Sequence, residues 1–395
     1  MGPSQTFTGS MPHPRAATAV VHAGFVVTGV VTTLLGPLLP ILIARWSMSD
    51  ARAGLFFTLQ FCASILGTSA LSYLIAFRGY RLAFSLGFFC MGLGLAALTT
   101  RNYPAGLMAT AVYGFGLGLV LCITNLWVAE VSAARRAAAL SVVNLAWGIG
   151  AISCPVLVMF AQRWHKIPFF LTAVAIVSVI IGSILGAMDI EPRLNKIKVA
   201  ADSTTSHRPV MSKQLAITFG ALFFLYVGSE NSVGGWTAAL AKRLGDTPGN
   251  LWALAPMFFW AGLLAGRAFV PAILLRVKER TVLVMGLIVS ALGNATLLWV
   301  TTYYGAAICV AVIGLGFSGI YPLLVSWMVT HYGEEAKGTA SIMFILAALG
   351  GATMPWLVGF TSTQTGNLHM GLIVPMVACL AMISLLALLH RRSVL

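Results

Sequence analysis

Long apolar runs separated by short polar ones set the pattern of this 395-residue chain. A helix needs roughly 20 apolar residues to cross about 30 Å of hydrocarbon. Twelve stretches fit that ruler, near 17–44, 51–76, 82–100, 104–129, 137–162, 167–188, 214–241, 250–275, 281–301, 304–330, 338–362 and 367–389. The runs are continuously apolar rather than alternating, and each is too long for a barrel strand of about ten residues. The pattern therefore predicts an all-α membrane protein with twelve transmembrane helices.

One long polar segment, 189–213, divides the spans into an amino-terminal half, 1–188, and a carboxy-terminal half, 214–395. Sliding one half onto the other by 199 or 200 residues pairs Gly29/Gly228, Gly36/Gly235, Gly67/Gly266, Arg81/Arg280, Gly87/Gly286, Ser141/Ser341, Gly150/Gly350 and Pro155/Pro355. Glycine is common in membrane helices, so one match carries little. A near-constant offset across several helix pairs predicts two parallel six-helix repeats.

Composition narrows the classes further. With 59% hydrophobic and 9% charged residues, the chain lies outside the range of soluble domains. A net charge of +14 would suggest nucleic acid in a soluble protein, but in a membrane chain it sorts by side. With the amino terminus in the cytoplasm, 17 of the 24 Lys and Arg fall inside, so both termini are expected to be cytoplasmic, as in a bacterial inner membrane. The first run has no small-residue cleavage site and reads as a span rather than a signal. The six cysteines lie in apolar runs with no C-x-x-C pair and no histidine at metal spacing, so neither a disulfide nor a metal is expected. The chain has no P-loop sequence, which removes ATP-driven transport, and no cofactor or enzyme is implied.

Polar side chains inside spans are costly and cluster where helices meet or a cavity opens. Of the acidic residues, Glu230 alone lies within an apolar run, in Tyr226-Val227-Gly228-Ser229-Glu230-Asn231-Ser232-Val233-Gly234-Gly235-Trp236. It either lines a cavity, where it can trade a proton or balance sodium, or ties helices together. The Gly234-Gly235 pair predicts a bend in span seven. Asn125, Asn144, Asn231 and Gln60 offer hydrogen bonds, and Trp236, Trp147, Trp260 and Tyr321 offer aromatic faces. Each has a plainer use as a helix contact or interface anchor. Arg267 lies inside span eight, where it snorkels or serves a gate, and His22 is expected to make a helix contact.

Six plus six spans around a basic central segment resemble the major facilitator superfamily over essentially the whole chain. The resemblance implies two halves rocking about a site near the membrane midplane. The loop Ser72 to Arg81 and its repeat from Gly266 to Arg280 are similar to that family's cytoplasmic gate signature, although the first lacks the acidic member. This implies gate roles for Arg78, Arg81, Arg267, Arg276 and Arg280. Two further patterns resemble the fucose permease and sodium-dependent glucose transporter group of sugar symporters. They are Tyr226-Val227-Gly228 with Glu230 and Trp236, and Thr124-Asn125 with Val128-Ala129 and Asn144-Leu145-Ala146. The resemblance implies a monomer in the lipid bilayer that carries a monosaccharide with a proton or sodium ion. Glu230 would couple the ion, and the amide and aromatic residues would hold the solute. An exporter of lipophilic solutes, for which 16 methionines would supply contacts, is the alternative; a non-transporting membrane sensor is a more distant one.

Overall fold

The computed structural model describes residues 14–191, 213–332 and 336–391, so most of the 189–213 linker lies outside the described residues. The chain forms helices α1 (Pro14–Thr33), α2 (Leu35–Trp46), α3 (Asp50–Ala97), α4 (Tyr103–Val131), α5 (Arg136–Arg163), α6 (Ile167–Ala187) and α7 (Lys213–Arg243). They are followed by α8 (Ala255–Leu274), α9 (Glu279–Leu297), α10 (Tyr303–Phe317), α11 (Ile320–Tyr332), α12 (Ala336–Thr365), α13 (Leu368–Gly371) and α14 (Ile373–Arg391). Polar caps begin several of them. Ser49, Asn102 and Thr302 accept from the backbone N–H groups of Arg52, Ala105 and Gly305, satisfying donors that a helix start leaves free.

The helices give the twelve expected crossings once three interruptions are placed. Span one is broken at Leu34 between α1 and α2, span ten between α10 and α11, and span twelve at Leu372 between α13 and α14. Pro37 explains the first break: it has no N–H to offer the Thr33 carbonyl four residues back. Spans two and three, conversely, run together as the 48-residue α3, about 72 Å if straight. The chain reverses within it at Gly79 (φ 77°, ψ −169°), a backbone state that favours glycine. A β-carbon there would also strike the Glu191 carboxylate. Both arms of α3 then pack along α4. An even number of crossings puts both chain ends on one face, here called the termini face.

The repeat seen in the sequence is a repeat of helix crossings. A methyl group at Gly29 would collide with the Trp147 carbonyl, and one at Gly150 with the Val26 carbonyl, so α1 and α5 touch backbone to backbone. Their mates Gly228 and Gly350 bring α7 and α12 equally close, Gly228 against the Met354 side chain and the Gly350 carbonyl, and Gly350 against the Phe224 carbonyl. Small residues permit this approach, and close packing is what holds helices together in lipid.

The bend expected in span seven does not occur. Helix α7 runs unbroken from Lys213 to Arg243. Its two glycines make room for neighbours instead: Gly235 faces the Phe57 ring, and the Gly234 carbonyl lies 2.6 Å from where a β-carbon of Gly36 would sit. The break falls in the repeat mate of this segment, the α1–α2 junction.

Candidate functional site

Among the described residues, every hydrogen bond between the halves lies toward the face opposite the termini. Asp50, the first residue of α3, is 8% exposed. It accepts from Arg243 Nη1 at 2.8 Å and Nη2 at 2.5 Å, and from the Ser362 hydroxyl at 2.5 Å. The free N–H groups at the α3 start add to this anion's stabilisation. Lys242 Nζ donates to the Pro40 carbonyl at 3.4 Å and lies 5.1 Å from the Trp252 ring centre. The Ala51 N–H donates to Thr363 Oγ1 at 2.8 Å, and Thr58 Oγ1 donates to the Ala352 carbonyl at 2.7 Å. Sequence reasoning missed this closure, because Asp50 and Arg243 each read as an ordinary charge at a span end.

Beneath it a small pocket opens at the seam of the halves, bordered by Thr32, Thr33, Gln60, Asn231, Gly234 and Trp260. Its free volume of about 10 Å³ is that of roughly one water. Gln60 Oε1 accepts from the Tyr113 hydroxyl at 2.9 Å, and Asn231 Nδ2 donates to the Val227 carbonyl at 2.8 Å. Trp147 meets Trp260 edge to face at 5.7 Å and donates from Nε1 to Thr32 Oγ1 at 3.3 Å. Four of the residues singled out by sequence, Gln60, Asn231, Trp147 and Trp260, are thus brought together. Thr32 and Thr33 were missed, although the 199-residue offset pairs them with Asn231 and Ser232.

Glu230 is half-buried on α7, one residue before pocket-lining Asn231, and Arg267 on α8 is near enough to interact with it electrostatically. Tyr226, one turn back on α7, and Tyr321 on α11 complete the group. The Tyr226 hydroxyl donates to the Phe317 carbonyl at 3.3 Å, and its ring stands 5.8 Å from that of Tyr321. Among the described residues the one ion pair within 4.0 Å is Asp50–Arg243. Glu230 and Arg267 therefore form no direct ion pair, and the buried Arg267 Nε has no hydrogen-bond partner among those residues.

Asn125 and Asn144 form a separate level. Asn144 Nδ2 lies 3.3 Å from Asn125 Oδ1, and both side chains also donate to carbonyls four residues back, Leu140 and Leu121. Asn144 stands six residues to the termini side of the Gly150 crossing, and Glu230 two residues beyond the equivalent Gly228 crossing. At 1.5 Å per residue the two levels are about 12 Å apart.

Other sequence candidates lie elsewhere. Trp236 is wholly buried, with Nε1 donating to the Pro355 carbonyl at 2.8 Å and its ring 6.4 Å from Phe57, so it presents no face to the pocket. Arg81 donates to the Gly186 carbonyl at 3.0 and 2.8 Å, which caps the end of α6 within one half. Arg78 is exposed over the Phe77 ring, Arg276 is exposed, and Arg280 is half-buried at the start of α9. His22 bonds the Thr18 carbonyl at 2.7 Å on its own helix. Among the described residues no group of His, Cys, Asp and Glu suits a metal ion.

Residues 21–355 match the Major Facilitator Superfamily. A glucose/mannose transporter of Bacillus subtilis is 23% identical over 389 residues, covering 92% of both chains. A glucose/galactose transporter of Brucella abortus is 24% identical over 425 residues, covering 99% of this chain and 98% of that one. The crystal structure of a D-xylose–proton symporter shares the fold with a TM-score of 0.74 at 14% identity, over 92% of this chain and 96% of that one.

Proposed function

The chain belongs to the Major Facilitator Superfamily, and from that premise we propose that it is a secondary active transporter of a monosaccharide, working by alternating access. It is an integral membrane protein and not an enzyme. The observation that carries the sugar reading is the pocket at the seam, where Gln60, Asn231 and the Thr32–Thr33 hydroxyls from both halves meet the Trp260 ring. Sugars need such partners, because each hydroxyl taken from water must find a hydrogen bond, while an aromatic face covers the apolar side of the ring. The names of the two relatives, which match nearly the whole chain, support the same solute class.

The positive-inside charge balance makes the termini face cytoplasmic in a bacterial inner membrane. On that orientation the Asp50–Arg243–Ser362 closure shuts the outer side, and solute loading from outside requires it to part and the pocket to widen. Glu230 is the coupling group for a proton or sodium ion. Gln60, Asn231, Trp260 and Trp147 hold the solute, Asn125 and Asn144 guide it along the cytoplasmic half of the path, and Trp236 supports the outer closure. Arg78, Arg81, Arg276 and Arg280 shape the cytoplasmic rim. The path lies within one chain, so a monomer suffices.

Uptake into proteoliposomes tests the reading. D-glucose, D-mannose and D-galactose are expected to accumulate under a pH or sodium gradient and to compete with one another. Transport of a lipophilic cation without any hexose would replace it with the exporter alternative.

A further inference from the structure

Among the described residues, Glu230 and Arg267 are the Asp, Glu, Lys or Arg side chains held in helix interiors. Every other one stands in a loop, within three residues of a helix end, or beside the Gly79 bend. The two sit on packed helices, α7 and α8. Glu230 directly precedes Asn231, which lines the seam pocket, and Arg267 lies two turns along α8 from Trp260, which lines it too. One is an anion and the other a cation, and they lack the close contact that would cancel them privately. The pair is therefore neutral as a whole, with Tyr226 between the two charges and no direct ion pair joining them.

From this arrangement we propose that the balance of Glu230 against Arg267 sets the charge class of the solute. With both present the site takes an uncharged sugar. A charged sugar entering a neutral, water-poor site sheds its hydration with no opposite charge to replace it. Removing Arg267 leaves a lone carboxylate that recruits an ammonium sugar, and removing Glu230 leaves a lone guanidinium that recruits a carboxylate sugar. Arg267 is thereby a specificity-determining residue rather than a gate residue. The proposal rests on the sugar-transporter reading.

The test is a set of binding titrations of D-glucose, protonated D-glucosamine and D-glucuronate on purified protein in nanodiscs. Wild type is expected to bind glucose ahead of both charged sugars, and Arg267→Lys to keep that order. Relative to glucose, Arg267→Gln is expected to gain about tenfold for glucosamine, and Glu230→Gln about tenfold for glucuronate. The double variant Glu230→Gln/Arg267→Gln should return glucose to first place. Glucose binding by wild type with one unchanged order in all variants would overturn the charge balance alone, whereas no hexose binding by wild type would remove the sugar reading itself. Should a single variant fail to fold, the neutral double variant and the exchanged pair Glu230→Arg/Arg267→Glu decide. Both keep the balance and should keep glucose first, and either one preferring a charged sugar would contradict the proposal.

Discussion

The amino-terminal half places Val31 and Thr68 where the carboxy-terminal half, 199 residues on, places Glu230 and Arg267. The exchange runs the other way nearer the termini face, where Asn125 and Asn144 in the first half correspond to Val325 and Phe344 in the second. Val31 is buried among apolar neighbours, and Thr68 spends its hydroxyl on the Gly118 carbonyl at 3.2 Å, tying α3 to α4. The two halves thus share a set of helix crossings but differ in chemistry, with the interior charges in the second half and the Asn125–Asn144 amide pair in the first. The outer closure is equally one-sided. The repeat mates of Asp50 and Arg243 are Gly249 and Ala44, so the pseudo-symmetric position carries no second ion pair. Shape is repeated because packing demands it, whereas the interior charges and the Asp50–Arg243 closure are not repeated.

The largest effects should come from breaking the shared shape. Gly150→Val and Gly350→Val each drive a side chain into a backbone carbonyl, Val26 and Phe224 respectively. Neither carbonyl can move independently of its helix, so each variant is expected to lose about 3 kcal/mol or more and most of its folded yield. Gly245→Val, with nothing within 4 Å, should leave the melting temperature unchanged. Detergent melting curves and size-exclusion profiles measure all three, and tolerance at only one of the first two positions would show the crossings to be unequal.

Breaking the one-sided closure should have a smaller effect. Asp50→Asn loses the ion pair but keeps a hydrogen-bond acceptor. The Arg243 side chain is 41% exposed, so the loss is discounted to about 1–2 kcal/mol, or roughly five- to thirty-fold in the open-to-closed ratio. With the six native cysteines replaced, a cysteine at Phe57 should be alkylated faster from outside in Asp50→Asn than in its parent. An equal rate would show that the Asp50 contact does not hold the outer side shut.

The amides should show the smallest effect. Asn144 is exposed and already bonded to Leu140 and Asn125, so Asn144→Ala is expected to weaken sugar binding by about 0.5–1.5 kcal/mol, while Phe344→Ala leaves it nearly unaltered. Isothermal titration of both variants sharpens the comparison between halves, and equal losses would erase it.

The span count and the glycine repeat were legible because each follows from local periodicity or a fixed offset. Glu230 was legible because a carboxyl inside an apolar run is conspicuous. What the sequence hid were pairings. Asp50 and Arg243 are 193 positions apart and meet only once the halves dock. Trp236 looked like a stacking face because aromatic type is visible in sequence and burial is not. The expected bend at Gly234-Gly235 failed because glycine propensity is a weak local preference, which packing against Phe57 and Trp260 overrides.

The account stands most directly on Glu230 as the seat of coupling in the carboxy-terminal half. The measurement is D-glucose uptake into proteoliposomes under an imposed proton or sodium gradient, alongside counterflow without a gradient, for wild type and Glu230→Gln. Wild type is expected to accumulate glucose above the outside concentration. Glu230→Gln should only equilibrate it while still exchanging, since an amide hydrogen-bonds but cannot change charge. Concentrative uptake by Glu230→Gln equal to that of wild type would contradict the account.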